Sequence, residues 1–216
     1  SFTSGDPGTT MRFQLVDSLG ACEVAAPDAL VSVDFLDVPP TNPFHDFVNT
    51  VSRDGITAGC GGGDFCPGAP VTRAQMAVFL LKGKLGADHV PPPATGTVFA
   101  DVPQGSFAAD WIEELASLDI TGGCGNGDYC PGAPVTRAQM AVFLLKTHLG
   151  SGYEPPAATG IFGDVPVDAF AADWIEDLYG RGITGGCSAS PLLYCPDNPN
   201  TRGQMGVFLT KTFALP

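Results

Sequence analysis

Apolar and polar positions follow the same order three times along this chain. Each copy begins with Phe-x-Asp-Val, continues with apolar residues at helical spacing and reaches Gly-Ile-Thr or Asp-Ile-Thr. A loop closed by Cys-Pro or Cys-Pro-Asp then leads into Thr-Arg-Ala-Gln-Met, which is Thr-Arg-Gly-Gln-Met in the third copy. Repeats of this length are typical of units that stack on one another. We therefore predict three helix-loop-helix units, at residues 35–86, 99–150 and 162–213.

The first helix of each unit is predicted to be amphipathic. In the second unit residues 107–118 place apolar side chains on one stripe and acidic ones away from it. The stripe holds Trp111, Ile112, Leu115 and Leu118, and the acids are Asp110, Glu113 and Glu114. Asn42, which precedes a proline, and Ser106 are expected to cap these helices at their N-termini. Gly55 and Gly182 stand where a left-handed residue ends a helix.

The second helix of each unit is predicted to be buried. Thr72, Thr136 and Thr201 are each followed three residues later by Gln, which is the pattern of a capping box. The next residues are apolar almost all round, so the helix has no face suited to water. We expect 76–81, 140–145 and 205–209 to be among the most buried segments, in a central bundle with the amphipathic helices outside. The fold class is thus mainly α.

Residues 1–34 lie before the repeats. Met11 to Val16 and Ala29 to Asp34 have alternating or β-branched character, which predicts two short strands. A lone hairpin is marginal in water, so we expect this arm to pack on a neighbouring copy. The alternative is the tail of a preceding domain. The chain starts at Ser1, which we interpret as a processed secreted protein or a piece of a longer one.

Six of the seven cysteines form pairs at matching points of the units. The pairs are Cys60 with Cys66, Cys124 with Cys130, and Cys187 with Cys195. Zinc is the alternative to disulfides, but five or seven residues separate the members of a pair, and the histidines share no repeat position. We predict three disulfides, which place the protein outside a reducing cytosol. Cys22 is left over, either free or bonded to another chain.

Composition excludes several functions. The formal net charge is −13, which argues against a nucleic-acid partner. No apolar run reaches the roughly 18 residues of a transmembrane helix, so membrane insertion is not expected. No nucleophile elbow and no phosphate-binding loop is present, and no His recurs beside a repeated Ser or Asp. The sequence therefore predicts no enzyme, no cofactor and no metal site.

The ordered set of repeated motifs resembles the S-layer homology domain in a tandem of three. This resemblance, from about Phe35 to Phe213, implies three lobes around a pseudo-threefold three-helix bundle. It implies an extracellular module that attaches a surface protein to the bacterial envelope through cell-wall polysaccharide. A self-assembling subunit of an S-layer or filament, whose partners are other copies of the chain, is the alternative. The cysteine pairs and the Gln in place of Glu depart from the family pattern, as do Gly203 for Ala and Phe47 for Trp.

Three arginines are the main candidates for binding an anionic glycan. Arg73, Arg137 and Arg202 each stand at the first position of a second helix, where free amides and the helix dipole favour anions. The family resemblance implies that they contact acidic sugar, with Trp111 and Trp174 as stacking platforms. The alternatives are that each arginine joins two lobes by pairing with Asp37, Asp101 or Asp164, and that both tryptophans belong to the core.

Overall fold

The computed structural model describes residues 34–216, and this part of the chain is mainly helical. It contains six helices and one pair of two-residue antiparallel strands. They are α1 His45–Arg53, α2 Arg73–Leu85, α3 Ala109–Ser117, α4 Arg137–Leu149, α5 Ala172–Gly180, β1 Ser188–Ala189, β2 Leu192–Leu193 and α6 Arg202–Phe213. The predicted N-terminal hairpin and Cys22 lie outside the described residues. Two helices per unit confirm the predicted mainly α class.

The second helices, α2, α4 and α6, begin as the sequence predicts. Each starts directly after a threonine whose hydroxyl accepts a hydrogen bond from the Gln amide three residues on. The Gln side chain in turn accepts from the threonine amide, which completes the capping box. Met76, Met140 and Met205 lie one residue further along and are at most 1% exposed. The expected burial of these helices is confirmed.

The first helices begin later than predicted. In the second unit α3 starts at Ala109, and Phe107 is 70% exposed. Ala108 adopts a left-handed conformation at the N-cap with no side-chain cap. Asn42 also caps no helix, because its carboxamide accepts from the Phe44 amide before α1 begins. Both expected N-caps are wrong. Leu118 is likewise misplaced on the apolar stripe, since it lies past the helix end and is 44% exposed.

Each first helix packs on the second helix of a different unit. Helix α3 packs on α2, α5 packs on α4, and α1 packs on α6. The three second helices also contact one another pairwise. Every unit therefore shares its core with its neighbours, and a large apolar cluster runs through all three units. A separate cluster of Phe35, Val38, Val48 and Phe65 lies within unit 1.

Backbone hydrogen bonds close a ring among the segments that precede the second helices. The Val71 amide donates to the Asn200 carbonyl at 2.9 Å, and the Asn200 amide donates to the Val135 carbonyl at 2.8 Å. The Val135 amide completes the ring by donating to the Val71 carbonyl at 2.9 Å. All three residues have no exposed surface. Two of the three ring positions are valine, and the third is a buried asparagine.

The described residues include no helix with the length and apolarity needed to cross a membrane.

Candidate functional site at the joints between units

Each candidate arginine lies at a joint, where one unit meets the next. The Nε of Arg73, in unit 1, donates to the Tyr129 carbonyl of unit 2 at 2.7 Å. Arg137, in unit 2, donates to the Tyr194 carbonyl of unit 3 at 2.8 Å, and Arg202, in unit 3, donates back to Phe65 of unit 1 at 2.7 Å. The three arginines are 3–5% exposed. They join the units in a closed order.

Aromatic rings enclose each guanidinium group. The central guanidinium carbon lies 4.7 Å from the ring centroid of Tyr129, Tyr194 or Phe65. A second ring, from the second helix of that neighbouring unit, lies 5.5–5.7 Å away. Such cation–π contacts favour arginine because its planar group stacks on aromatic faces. Each joint thus combines a hydrogen bond with stacking on two rings.

Burial sets the protonation behaviour of the joints. Burial is the largest cause of the lowered pKa of Arg73, Arg137 and Arg202. Burial also raises the pKa of Tyr129, and it raises the pKa of Tyr194 to about 12. The tyrosines are therefore protonated at neutral pH, and their hydroxyls donate to the Arg137 and Arg73 carbonyls at 2.9 Å.

The helix N-termini at the joints do not offer free amides. The Arg73 and Ala74 amides donate to the Ala133 and Pro131 carbonyls of unit 2. The amides at the starts of α4 and α6 are bonded in the same way to the loops of the following units. The expectation of free amides is wrong, because these loops supply carbonyl acceptors. Glycan binding by the arginines stays a prediction.

The aspartates of Phe-x-Asp-Val hold the loop of their own unit. Asp101 accepts from the Tyr129 and Cys130 amides, each at 2.7 Å. Asp37 and Asp164 accept from the corresponding pairs of amides at the same distance. Among residues 34–216 none of these carboxylates forms an ion pair with a joint arginine. The expected pairing of the arginines with these aspartates is wrong, because each arginine contacts the neighbouring unit through a carbonyl and aromatic rings.

The three joints differ in how completely their polar groups are bonded. One Nη of Arg73 donates to the Gly123 carbonyl, and one Nη of Arg202 donates to the Thr57 hydroxyl. The matching Nη2 of Arg137 is buried and has no protein partner in the described part of the chain. In the joint between units 2 and 3 this cationic nitrogen is therefore buried without a partner, whereas the equivalent nitrogen in each of the other two joints donates a hydrogen bond.

The predicted disulfides are present in the structure. Cys60–Cys66, Cys124–Cys130 and Cys187–Cys195 are bonded, each with Cα atoms 6.0 Å apart. Asp164 lies close to the third pair and would complete a group of potential metal ligands. However, sulfur in a disulfide is not a thiolate ligand, and the Asp164 carboxylate already accepts two amides. These loops are therefore closed by disulfides.

The tryptophans are partly buried against the core. The Trp111 ring meets the His89 ring edge-on, with centroids 5.9 Å apart. The Trp174 ring meets Tyr153 in the same way at 6.1 Å. The covering residues belong to the segments that connect the units, so one side of each ring is occupied. Their role as sugar platforms stays a prediction.

These connecting segments, linker 1 (residues 86–98) and linker 2 (residues 150–161), are bound by acids on the first helices. Glu113 of α3 accepts from the Thr95 and Gly96 amides, both at 2.7 Å. Glu176 of α5 accepts from the Thr159, Gly160 and Ile161 amides at 2.7–2.8 Å. Asp110 and Asp173 each accept one further linker amide.

Sequence reasoning missed this function of the acids, since it placed them on a face away from the core. The recurrence of Asp and Glu three residues apart in two first helices is the signal that could have identified them.

Comparison with known protein families matches two parts of the chain to the S-layer homology domain. The matched segments are residues 34–77 and 98–141, which start just before units 1 and 2 and end inside their second helices. The third unit has the same joint and capping box, but its bonded cysteines are eight positions apart instead of six and its loop contains β1 and β2. It lies outside the matched segments.

Curated relatives include cell-surface and S-layer proteins. A cell surface protein of Thermoanaerobacter kivui is 33% identical over 136 residues, which is 62% of this chain and 17% of that protein. An S-layer protein of Bacillus thuringiensis subsp. finitimus is 27% identical over 191 residues, 88% of this chain and 22% of the relative. An endoglucanase of Bacillus sp. (strain KSM-635) is 25% identical over 148 residues, or 67% and 15% of the two chains. The chain thus spans under a quarter of each of these relatives. The matched domain and the surface relatives indicate an extracellular location at the cell surface.

Proposed function

We propose that this chain is a non-catalytic module that attaches a surface protein to the bacterial envelope by binding cell-wall polysaccharide. The observation that carries the proposal is the match of two units to the S-layer homology domain, with a third unit built on the same joint. The relatives share this region although one is named a cell surface protein and another an endoglucanase. A region common to proteins with such different names fits a shared attachment role better than a shared reaction.

We also infer that the three units are arranged around a pseudo-threefold axis. The closed ring of three backbone hydrogen bonds supports this inference, as do the three joints in which each arginine reaches the following unit. Pairwise contacts among α2, α4 and α6 are those expected of a central three-helix bundle. In such an arrangement three similar surfaces lie between consecutive units.

Arg137 is the arginine best suited to contact an acidic sugar. Its Nη2 is a buried cationic donor without a protein partner, and a carboxylate would form a charge-assisted hydrogen bond with it. Arg73 and Arg202 have partners for the same nitrogen. Because Arg137 is only 3% exposed, a sugar must displace part of the joint between units 2 and 3 to reach it.

Co-sedimentation with purified cell-wall polysaccharide tests this function. We expect the wild-type chain to bind as a monomer. Arg137→Lys keeps the charge but loses the planar fork, so binding should weaken. Arg73→Lys is the matched control, because it alters an equivalent joint whose nitrogen is already bonded. Equal loss of binding in both variants would exclude Arg137 as the specific contact, and no binding by the wild type would overturn the function.

Self-assembly is the second candidate, and one observation favours it. Phe107 and Phe170 occupy matching places before α3 and α5 and are 70% and 69% exposed. Large apolar side chains exposed at repeated positions are suited to contacts with another copy. If the chain assembles, it should sediment as large particles without glycan, and Phe107→Ser with Phe170→Ser should return it to a monomer. A wild-type chain that remains monomeric at all concentrations would exclude this candidate.

A further inference from the structure

A linker lies along one face of each of the first helices α3 and α5, and α1 has similar residues at the corresponding positions. On α3 the linker-binding residues are Asp110 and Glu113, with Trp111 between them. On α5 the equivalent residues are Asp173, Glu176 and Trp174. The corresponding positions of α1 are Asp46, Asn49 and Phe47. An aspartate, an aromatic ring and a polar side chain are thus kept at one helical spacing in all three helices.

The chain approaches α1 where the linkers approach α3 and α5. Linkers 1 and 2 end at Val98 and Ile161, immediately before Phe-x-Asp-Val, and Asp34 is the equivalent residue of unit 1. Its carboxylate accepts from the Asn49 carboxamide at 3.1 Å and lies 3.4 Å from His45 Nε2. These contacts place Asp34 against the side of α1.

One carboxylate on this face of α1, that of Asp46, can still accept hydrogen bonds. The Asp46 side chain is 98% exposed and contacts His45, whereas its counterparts Asp110 and Asp173 accept linker amides at 2.7 and 2.6 Å. Among residues 34–216 no backbone amide donates to Asp46. An extended segment along α1 would supply one. In units 2 and 3 the linker residue whose amide donates to the equivalent aspartate stands five or four positions before the Phe that begins the unit.

We propose that residues 25–33 of the same chain bind along α1 as linkers 1 and 2 bind along α3 and α5. Counting back from Phe35 places the Asp46 partner at the Leu30 or Val31 amide. Both side chains are larger than the alanines that the other two aspartates hold, and Phe47 is smaller than the tryptophans of α3 and α5. A larger linker side chain beside a smaller ring keeps the apolar volume on this face similar.

Amide hydrogen exchange on the full chain tests this proposal. Amides of residues 29–33 should exchange at least about tenfold more slowly than in a free peptide, as expected for backbone groups held by a local opening equilibrium. Peptides covering 94–96 and 158–160 give the protection of a linker that is bound in the structure. Asp46→Ala should remove the protection around Leu30 and leave these two linkers unchanged. Asp54→Ala, at the other end of α1, is the matched control and should have no effect.

Two results would overturn the proposal. Free-peptide exchange of residues 29–33 in the wild-type monomer would show that α1 holds no linker. Protection that rises with protein concentration would assign the bound segment to a second copy, and the segment would then connect molecules. Protection that is independent of concentration and sensitive to Asp46→Ala is the outcome that the proposal requires.

Discussion

Replacing the buried Asn200 by valine should stabilise the protein. Asn200 has no exposed surface, its Oδ1 has no hydrogen-bond partner in the described structure, and its Nδ2 faces only the Met205 sulfur at 3.9 Å. Removing a buried polar group without a partner recovers a penalty of about 1–3 kcal/mol. Val71 and Val135 fill the two equivalent places in the ring of backbone bonds, so the new side chain suits this environment.

The magnitude can be measured by urea unfolding and by the melting temperature. A gain of about 1–3 kcal/mol corresponds to a rise of roughly 2–12 °C for a protein of this size. Val135→Asn is the reciprocal control and should destabilise by a similar amount, since it buries a second carboxamide. A lower stability of Asn200→Val would refute the reasoning, because Asn200 would then have a partner that the backbone ring and Met205 do not provide.

Three further predictions concern the linkers and the loops. Glu176→Gln should destabilise by about 1–3 kcal/mol in urea unfolding, because an NH2 group replaces an oxygen that accepts linker amides; unchanged stability would contradict the linker role. Burial alone would raise the pKa of Glu113 and Glu176, but the hydrogen bonds from Thr95, Gly96 and their unit 3 equivalents lower it below the ordinary value of a glutamate. Their stabilisation is therefore complete above the unfolded pKa and is lost as the pH falls through the folded pKa, which acid unfolding of wild type and Glu176→Gln should show. Reduction of the three disulfides should lower the melting temperature, since closing each seven- or nine-residue loop contributes about 2 kcal/mol on the chain-entropy model. An unchanged melting temperature, with the free thiols demonstrated by mass spectrometry, would contradict this prediction.

Local features of this fold could be predicted from sequence because their partners are close in the chain. The capping box needs only Thr72 and Gln75, and each disulfide joins cysteines six or eight positions apart. The predicted starts of α1 and α3 were wrong for a related reason. Asn42 and Ser106 are good caps in isolation, but the chain turns once more before either helix begins.

The joints could be predicted only in part because their partners are distant backbone groups. Arg73 was identified by its place in a repeated motif, yet its acceptor is a carbonyl 56 residues away. A carbonyl occurs in every residue, so no residue type marks it as the partner. Similarly, Glu113 at helical spacing indicates a solvent-facing side chain, and only the path of linker 1 makes it a ligand for backbone amides.

The joint between units 3 and 1 explains why the third repeat has glycine where the others have alanine. A Cβ atom on Gly203 would lie 2.5–2.9 Å from the ring of Phe44. The position of Phe44 is also occupied by alanine in the other two units. The closing joint therefore pairs a large residue at the N-cap of the first helix with glycine on the second helix. The corresponding positions of the other joints, such as Ala108 and Ala74, both hold alanine.

This pairing gives a double-mutant prediction. Gly203→Ala alone should destabilise by roughly 1–3 kcal/mol, because the rigid ring cannot yield without overpacking. That result opposes the gain of up to about 1 kcal/mol that alanine has over glycine in a helix. In a Phe44→Ala background the same change recreates the alanine pair of the other joints, and it should become stabilising by about 1 kcal/mol. Urea unfolding of the two single variants and the double variant measures the coupling directly. If Gly203→Ala stabilises the wild type as much as it stabilises Phe44→Ala, the two positions are independent and the closing joint is not built on this exchange of size.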